Sequence, residues 1–221
     1  MHLRDCPSAK LTDKGDVNHT FLGLSYLDLY EIYFSHLQHR PITLLEIGVS
    51  GRHDQVVGSS LWLWKEYFPN ATIIGLDIDP FCKQYERPGI HIEIGNQSNP
   101  VDLDRVKKLA PNGFDVIVDD GSHVNKYTLM SFWHLFPWLN KGGFYVIEDL
   151  GCSYGKIEEW GCRDWPGMRF NDPHDNLNND RSVMDAFFKG LITDLDSRSG
   201  ALGALHFHAM MCIMIKGIDR G

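Results

Sequence analysis

Two short stretches hold the residues whose types and spacing suit chemistry. Asp119, Asp120 and His123 close Phe114-Asp-Val-Ile-Val-Asp-Asp-Gly-Ser-His123, and Glu148 and Asp149 close Gly143-Phe-Tyr-Val-Ile-Glu-Asp149. Each is an apolar, β-branched run that ends abruptly in acids, the pattern of a buried parallel strand. Open α/β sheets bind their ligands at the carboxyl ends of the strands. Neighbouring strands lie about 4.8 Å apart, so if these two are neighbours their four acids crowd one small volume, with His123 one turn beyond. Carboxylates packed that closely repel one another unless a cation or a positive substrate sits among them. An imidazole beside them, with a reference pKa of about 6.5, would accept a proton near neutrality.

The elements that must position these residues follow an α/β order. A helix is expected over 24–37, where Leu24, Leu27, Tyr30, Ile32, Phe34 and Leu37 recur at helical spacing before Pro41. A first strand over 42–49 closes on Glu46-Ile-Gly48, and a helix over 60–68 stops at Pro69. Strands over 72–78 and 91–94, a helix over 102–110 and the strand into Asp120 follow. A helix over 126–139 carries Pro137, and Lys141-Gly-Gly143 reads as a turn into the next strand. The aperiodic, Gly-, Trp-, Pro- and Asn-rich stretch 151–179 is expected to form a lid over the acidic strand ends. A helix over 182–195, capped by Asp180, then precedes two strands that meet at Ala209 and Met210. The alternation implies a doubly wound, mostly parallel sheet, with an antiparallel strand at one edge. Trp62 and Trp64 are expected in the core. His206 and His208 are expected on opposite faces of a closing strand, both in structural roles.

With 221 residues, 43% hydrophobic and 12% aromatic, the chain suits one α/β domain over 1–221 with a sizeable core. A formal charge of −8 argues against nucleic acid or an anionic membrane as the main partner. No apolar run approaches the ~18 residues of a membrane span. Met1-His-Leu-Arg-Asp-Cys-Pro7 lacks the apolar centre of a secretory signal, so a cytoplasmic location is expected. The five cysteines are scattered without a C-x-x-C spacing and read as free thiols.

Leu44-Leu-Glu-Ile-Gly-Val-Ser-Gly51 lacks the G-x-G-x-x-G that opens onto a helix in dinucleotide sites. Glu46 would repel a pyrophosphate and suits a cation. Glu46-x-Gly48, followed by Asp77 after the second strand, Gly95-Asn-Gln97 after the third and Asp119 after the fourth, resembles the S-adenosylmethionine site of class I methyltransferases. That resemblance implies a seven-stranded, Rossmann-like sheet. It implies that Gly48 lets the backbone approach the cofactor and that Asp77 grips the ribose hydroxyls. Ile78, Asn96, Gln97 and Asp119 complete the cofactor set, with the Asn96 amide oxygen accepting from the adenine amino group in place of the usual aspartate.

Residues 58–69, Gly75-Leu-Asp-Ile78, Val118-Asp-Asp-Gly-Ser-His123 and Val146-Ile-Glu-Asp-Leu150 resemble, more narrowly, the metal-dependent sugar O-methyltransferases of macrolide biosynthesis, the mycinamicin type. The likeness covers roughly 10–155 and the last strand pair. It implies that Asp120, Glu148 and Asp149 are Mg²⁺ ligands and His123 is the catalytic base. Thr12-Asp-Lys-Gly15 with His19 resembles an N-terminal segment, within 1–40, that closes over the cofactor. The implied reaction methylates a hydroxyl of a vicinal diol on a small-molecule acceptor, a glycosylated natural product. Such a hydroxyl, like water at about 15.7, has a pKa far above neutrality, and a hard cation that chelates the diol lowers it. A cephalosporin-tailoring or catechol-type enzyme, a non-catalytic cofactor-binding module, and assembly as a homo-oligomer stay open.

Overall fold

The structure is a computed structural model that describes residues 1–15, 23–50, 56–154 and 179–218. Its elements run α1 (Tyr26–Phe34), β1 (Thr43–Ile47), α2 (Ser59–Tyr67), β2 (Thr72–Asp77), β3 (Ile90–Ile94), α3 (Pro100–Leu109) and β4 (Phe114–Asp119). Then come α4 (Asn125–Leu135), β5 (Leu139–Ile147), α5 (Arg181–Ser197), β6 (Leu202–His208) and β7 (Met211–Lys216). Local chemistry sets several boundaries. Ser25 and Asp28 form a reciprocal capping box at α1. Asn99 with Pro100 opens α3, and the Asp180 side chain accepts from the Ser182 N–H at α5.

The strands form one seven-stranded sheet in the order β3-β2-β1-β4-β5-β7-β6. β1 to β5 are parallel, and β7 runs antiparallel to both of its neighbours, β5 and β6. The closing pair thus lies at one edge, as its sequence implies. Strand order reverses beside β1, because β2 and β3 extend to one side and β4 and β5 to the other. A crevice for ligands opens at such a reversal. Here it lies at the carboxyl ends of β1 and β4.

Both faces of the sheet are covered. Leu44, Ile73, Val116, Val118, Phe144 and Val146 pack with α1 and α2 on one face. Their alternates Leu45, Ile74, Ile117, Tyr145 and Ile147 pack with α3, α4 and α5 on the other. That two-sided burial is why the strands read as continuous apolar runs.

Two boundaries differ from expectation for identifiable reasons. The 126–139 helix stops at Leu135, and Phe136–Trp138 tightens into a 3₁₀ turn around Pro137, which has no N–H to continue the ladder. Lys141-Gly-Gly143 is no turn before a strand but an irregularity inside β5. The pairing jumps from Phe114–Leu139 to Val116–Phe144, and a Cβ at Gly143 would lie 2.8 Å from two backbone oxygens. His206 and His208 also depart from expectation. Residues two apart share a strand face, and both rings meet the Tyr33 hydroxyl, at 2.7 and 3.0 Å.

Among the described residues no helix is long and apolar enough to cross a membrane. Cys6, Cys82, Cys152 and Cys212 are buried free thiols. Trp64 is fully buried, whereas Trp62 is only partly so and lies under the Arg87 guanidinium.

Phe132 tests the packing on the α4 face. It is fully buried, with its ring 4.7 to 5.0 Å from those of Phe136, Phe187 and Tyr145. Phe132→Ala is expected to lower stability by about 3–5 kcal/mol, read as a fall in the urea midpoint at unchanged slope. A loss below about 1 kcal/mol would show that this face is not a packed core.

Candidate active site

Strand register brings the acids together. Ile47 is level with Asp119 on β4, and Asp119 with Ile147 on β5. The pairing runs one residue further, since Asp120 N–H donates to the Ile47 carbonyl at 2.9 Å and Glu148 N–H to the Asp119 carbonyl at 3.0 Å. Gly48, Asp120 and Glu148 therefore stand side by side. Gly48 has φ +91°, and a Cβ there would lie 2.0 Å from the Asp120 carbonyl oxygen. The close approach that fixes this glycine is thus to the neighbouring loop.

Asp120, His123 and Asp149 each place one ligand atom within 4.8 Å of the others. His123 Nε2 lies 4.0 Å from Asp120 Oδ1 and 3.7 Å from Asp149 Oδ2. His123 and Asp149 both have left-handed backbones, at φ 55° and 52°. Such conformations cost about 1–3 kcal/mol each and gather at functional sites. The Tyr26 hydroxyl donates to Asp149 Oδ1 at 2.8 Å. Burial, with the Asp149 charge next, pushes that hydroxyl far above its ordinary pKa, so it stays a donor.

Behind this group lies Lys14, only 1% exposed. Its ammonium is 2.8 Å from Asp120 Oδ2, 2.8 and 3.0 Å from the two Glu148 oxygens, and 3.1 Å from Glu46 Oε1. Burial opposes its charge, but Asp120, Glu148 and Glu46 outweigh burial and hold the ammonium well above its usual pKa. Tyr30 donates to Glu148 Oε1. Trp64 Nε1–H donates to Glu46 Oε2 at 2.9 Å. Burial, reinforced by Asp120, still pushes Glu148 well above the carboxylate range, against Lys14 and Tyr30. Burial also raises Asp120 to about 7, with Lys14 opposing, although a quarter of its side chain remains open to solvent. A site with that charge favours a bound cation.

The expected residues therefore divide. Asp120 and Asp149 stand in the ligand-atom group, together with His123. Glu148, expected as the third ligand, faces Lys14 and Tyr30. Asp77 accepts from the Val49 and Ser50 N–H groups at 2.7 and 2.9 Å and from Asp79 N–H at 2.8 Å, so it orders the loops around the crevice. Ile78 is exposed beside it. Asn96 Oδ1 accepts from Ser98 N–H and Oγ–H, both at 2.8 Å. Gln97 joins two loops, donating to Asp119 Oδ1 at 3.1 Å and accepting from Ser122 N–H at 2.6 Å. Asp119 also accepts from Ser131 Oγ–H at 2.6 Å and from Tyr145 at 3.4 Å. Burial raises its pKa despite these donors, Ser131 foremost.

Tyr30 and Trp64 are legible only as core aromatics, Lys14 only within Thr12-Asp-Lys-Gly15, and Tyr26 is not among the residues the helical spacing picks out. The i, i+4 spacing of Tyr26 and Tyr30, which puts two hydroxyls on one helix face, was the available signal. His19, Gly51, Cys162 and residues 155–178 of the expected lid lie outside the described residues.

Known proteins give the geometry its context. No family model matches the chain. A Streptomyces olivaceus protein, 8-demethyl-8-alpha-L-rhamnosyl tetracenomycin-C 2'-O-methyltransferase, is 34% identical over 212 residues, covering 89% of this chain and 51% of its own. Mycinamicin VI 2''-O-methyltransferase of Micromonospora griseorubida is 37% identical over 141 residues, 63% of this chain and 32% of its own. Among solved structures, MycE methyltransferase of mycinamycin biosynthesis, in complex with Mg, SAH and mycinamycin VI, superposes with TM-score 0.69 at 29% identity. That match covers 89% of this chain and 50% of that one. The chain thus spans about half the length, or less, of the relatives it matches. It carries the class I methyltransferase fold and resembles the macrolide-sugar O-methyltransferases in both sequence and structure.

Ser131 tests the support beneath the site. Ser131→Ala removes the shortest side-chain hydrogen bond that buried Asp119 accepts and is expected to cost about 1–3 kcal/mol. Thermal unfolding indistinguishable from wild type would show that Gln97 and Tyr145 satisfy Asp119 unaided.

Proposed function

We propose that this chain is an S-adenosylmethionine- and Mg²⁺-dependent O-methyltransferase that methylates one hydroxyl of a vicinal diol on a sugar of a glycosylated natural product. The observation that carries the reading is the convergence of Asp120, His123 and Asp149 within 4.8 Å at the ends of β4 and β5. The likeness to enzymes named for sugar 2'- and 2''-O-methylation supports the acceptor class.

The residues fit a hard divalent cation. Two carboxylates converge on one point, and buried acid surrounds them in excess of Lys14. Asp120 and Asp149 would hold the ion, with Glu148 completing the acidic set from behind Asp120. When bound, the ion lowers the pKa of a hydroxyl beside it and S-adenosylmethionine supplies an activated methyl group. The remaining work belongs to the chain. His123 Nε2 faces the carboxylate oxygens of Asp120 and Asp149 and accepts the acceptor's hydroxyl proton. Those same carboxylates stabilise the imidazolium that forms. Tyr26 fixes Asp149 by holding its other oxygen. On the cofactor side, Asp77, Ile78 and Asn96 would meet S-adenosylmethionine from the carboxyl ends of β2 and β3 and Gly48 from that of β1, while Glu46, Gln97 and Asp119, all buried, would support those loops. Asp77 stands at the carboxyl end of β2 to meet ribose hydroxyls while it orders the backbone of Val49 and Ser50.

Calorimetry should give S-adenosylhomocysteine a micromolar or tighter Kd, about −8 kcal/mol, and Asp77→Ala should weaken it by about 1–3 kcal/mol. Absence of binding to wild type overturns the reading. Methyl transfer to a glycosylated macrolide should stop on EDTA treatment and return with Mg²⁺; full activity in EDTA removes the metal from the proposal. His123→Ala should slow transfer by about 10²- to 10⁴-fold while keeping S-adenosylhomocysteine affinity. A variant as fast as wild type demotes the histidine to a structural residue.

A further inference from the structure

Among the described residues Lys14 is the only buried lysine or arginine. A charge this deep persists only when paired, and its partners are three acids drawn from three different strands or strand ends. Asp120 divides its oxygens between two surroundings. Oδ2 takes the Lys14 ammonium at 2.8 Å, while Oδ1 is the atom 4.0 Å from His123 Nε2. Glu148 gives both oxygens to the same ammonium. Glu46 Oε1, fully buried, is 3.1 Å from Nζ but has no aligned hydrogen bond. One cation is thus built into the chain on the Glu46 and Glu148 side of Asp120. The ligand-atom group lies on the other side.

We infer that Lys14 is a positioning residue, the fixed counter-cation of the site, which neutralises one of its acids and thereby limits how strongly the Asp120–His123–Asp149 group attracts a divalent ion. The inference rests on the proposed function, because it presumes that this group binds the ion. Its physical basis is Coulombic. A positive charge that shares a carboxylate with a bound divalent ion repels that ion, and the repulsion is strong where burial excludes water. A lysine that merely pinned the N-terminal segment would have a different signature. Its loss would loosen the acids and weaken ion binding, or leave it unchanged.

The two cases separate by titrating the chain with Mn²⁺ and following the free-ion electron paramagnetic resonance signal, with no turnover required. Lys14→Met keeps length without charge and is expected to bind Mn²⁺ at least about tenfold more tightly than wild type. Lys14→Arg, which keeps the charge, is expected to stay near the wild-type affinity. Unchanged or weaker Mn²⁺ binding by folded Lys14→Met overturns the inference while leaving the proposed function intact. Wild type that binds no Mn²⁺ overturns both. If Lys14→Met does not fold, Lys14→Gln, which keeps hydrogen-bond donors for the acids without the charge, takes its place and is expected to bind Mn²⁺ at least about tenfold more tightly than wild type; unchanged or weaker binding by that variant overturns the inference.

Discussion

Parallel strands held in register force their following residues to stand abreast, and here those residues are acids. Two like charges 5 Å apart in a protein environment repel by about 3 kcal/mol, a sizeable share of a domain's net stability. Neither strand can slip to relieve the repulsion. A one-residue shift of β4 or β5 would turn every buried side chain to the wrong face, and both faces are packed. The acids are therefore fixed by the core, and their surroundings must supply the compensation. Lys14, Tyr26 and Tyr30 direct hydrogens at them, and Trp64 does the same for Glu46 within β1.

The two faces of the sheet deliver that compensation differently. Residues adjacent on a strand point to opposite sides. Asp119 turns toward α4 and meets Ser131, Gln97 and Tyr145, a closed network of neutral donors. Asp120, one residue on, meets an ammonium and an imidazole instead. Two acids that look equivalent in Val118-Asp-Asp-Gly thus do different work. One anchors the loops beneath the crevice, and the other stands in the group with His123 and Asp149. On the opposite helix layer, α1 uses a single face for two purposes. Tyr26 and Tyr30 pack their rings into the core and send their hydroxyls to Asp149 and Glu148.

What was legible in the sequence is what local pattern controls. Apolar runs ending in acids located the strand ends, and the glycine and acid spacing located the crevice. The irregularity in β5 was not legible, because Lys141-Gly-Gly143 has turn chemistry and only pairing with β4 absorbs it into the strand. The shared face of His206 and His208 follows from the strand period of two, contrary to the expectation of opposite faces. Lys14 lies 106 residues from Asp120 and 134 from Glu148, and no periodicity links a lysine in an irregular segment to acids so distant. Contacts of that separation come from topology, which composition does not encode. The apolar spacing expected for α1 was right at Leu27, Tyr30 and Phe34 but wrong at Ile32, which is exposed, and it omitted Leu29 and Tyr26, whose hydroxyl reaches Asp149.

Backbone strain at the site follows the same division between room and chemistry. Where the chain needs only space it has glycine. A Cβ at Gly48 would meet the Asp120 carbonyl, and one at Gly121 would come within 2.3 Å of Gln97 Oε1. At two left-handed turns beside the crevice it carries a side chain instead. His123 and Asp149 both adopt positive φ, and glycine at either place would relieve strain. Their side chains are also the two that approach within 3.7 Å of each other. Packing alone would favour glycine at both positions. In the proposed reaction the carboxylate holds a cation and the imidazole takes a hydroxyl proton, so two left-handed residues fall where that reading needs side chains that glycine cannot supply.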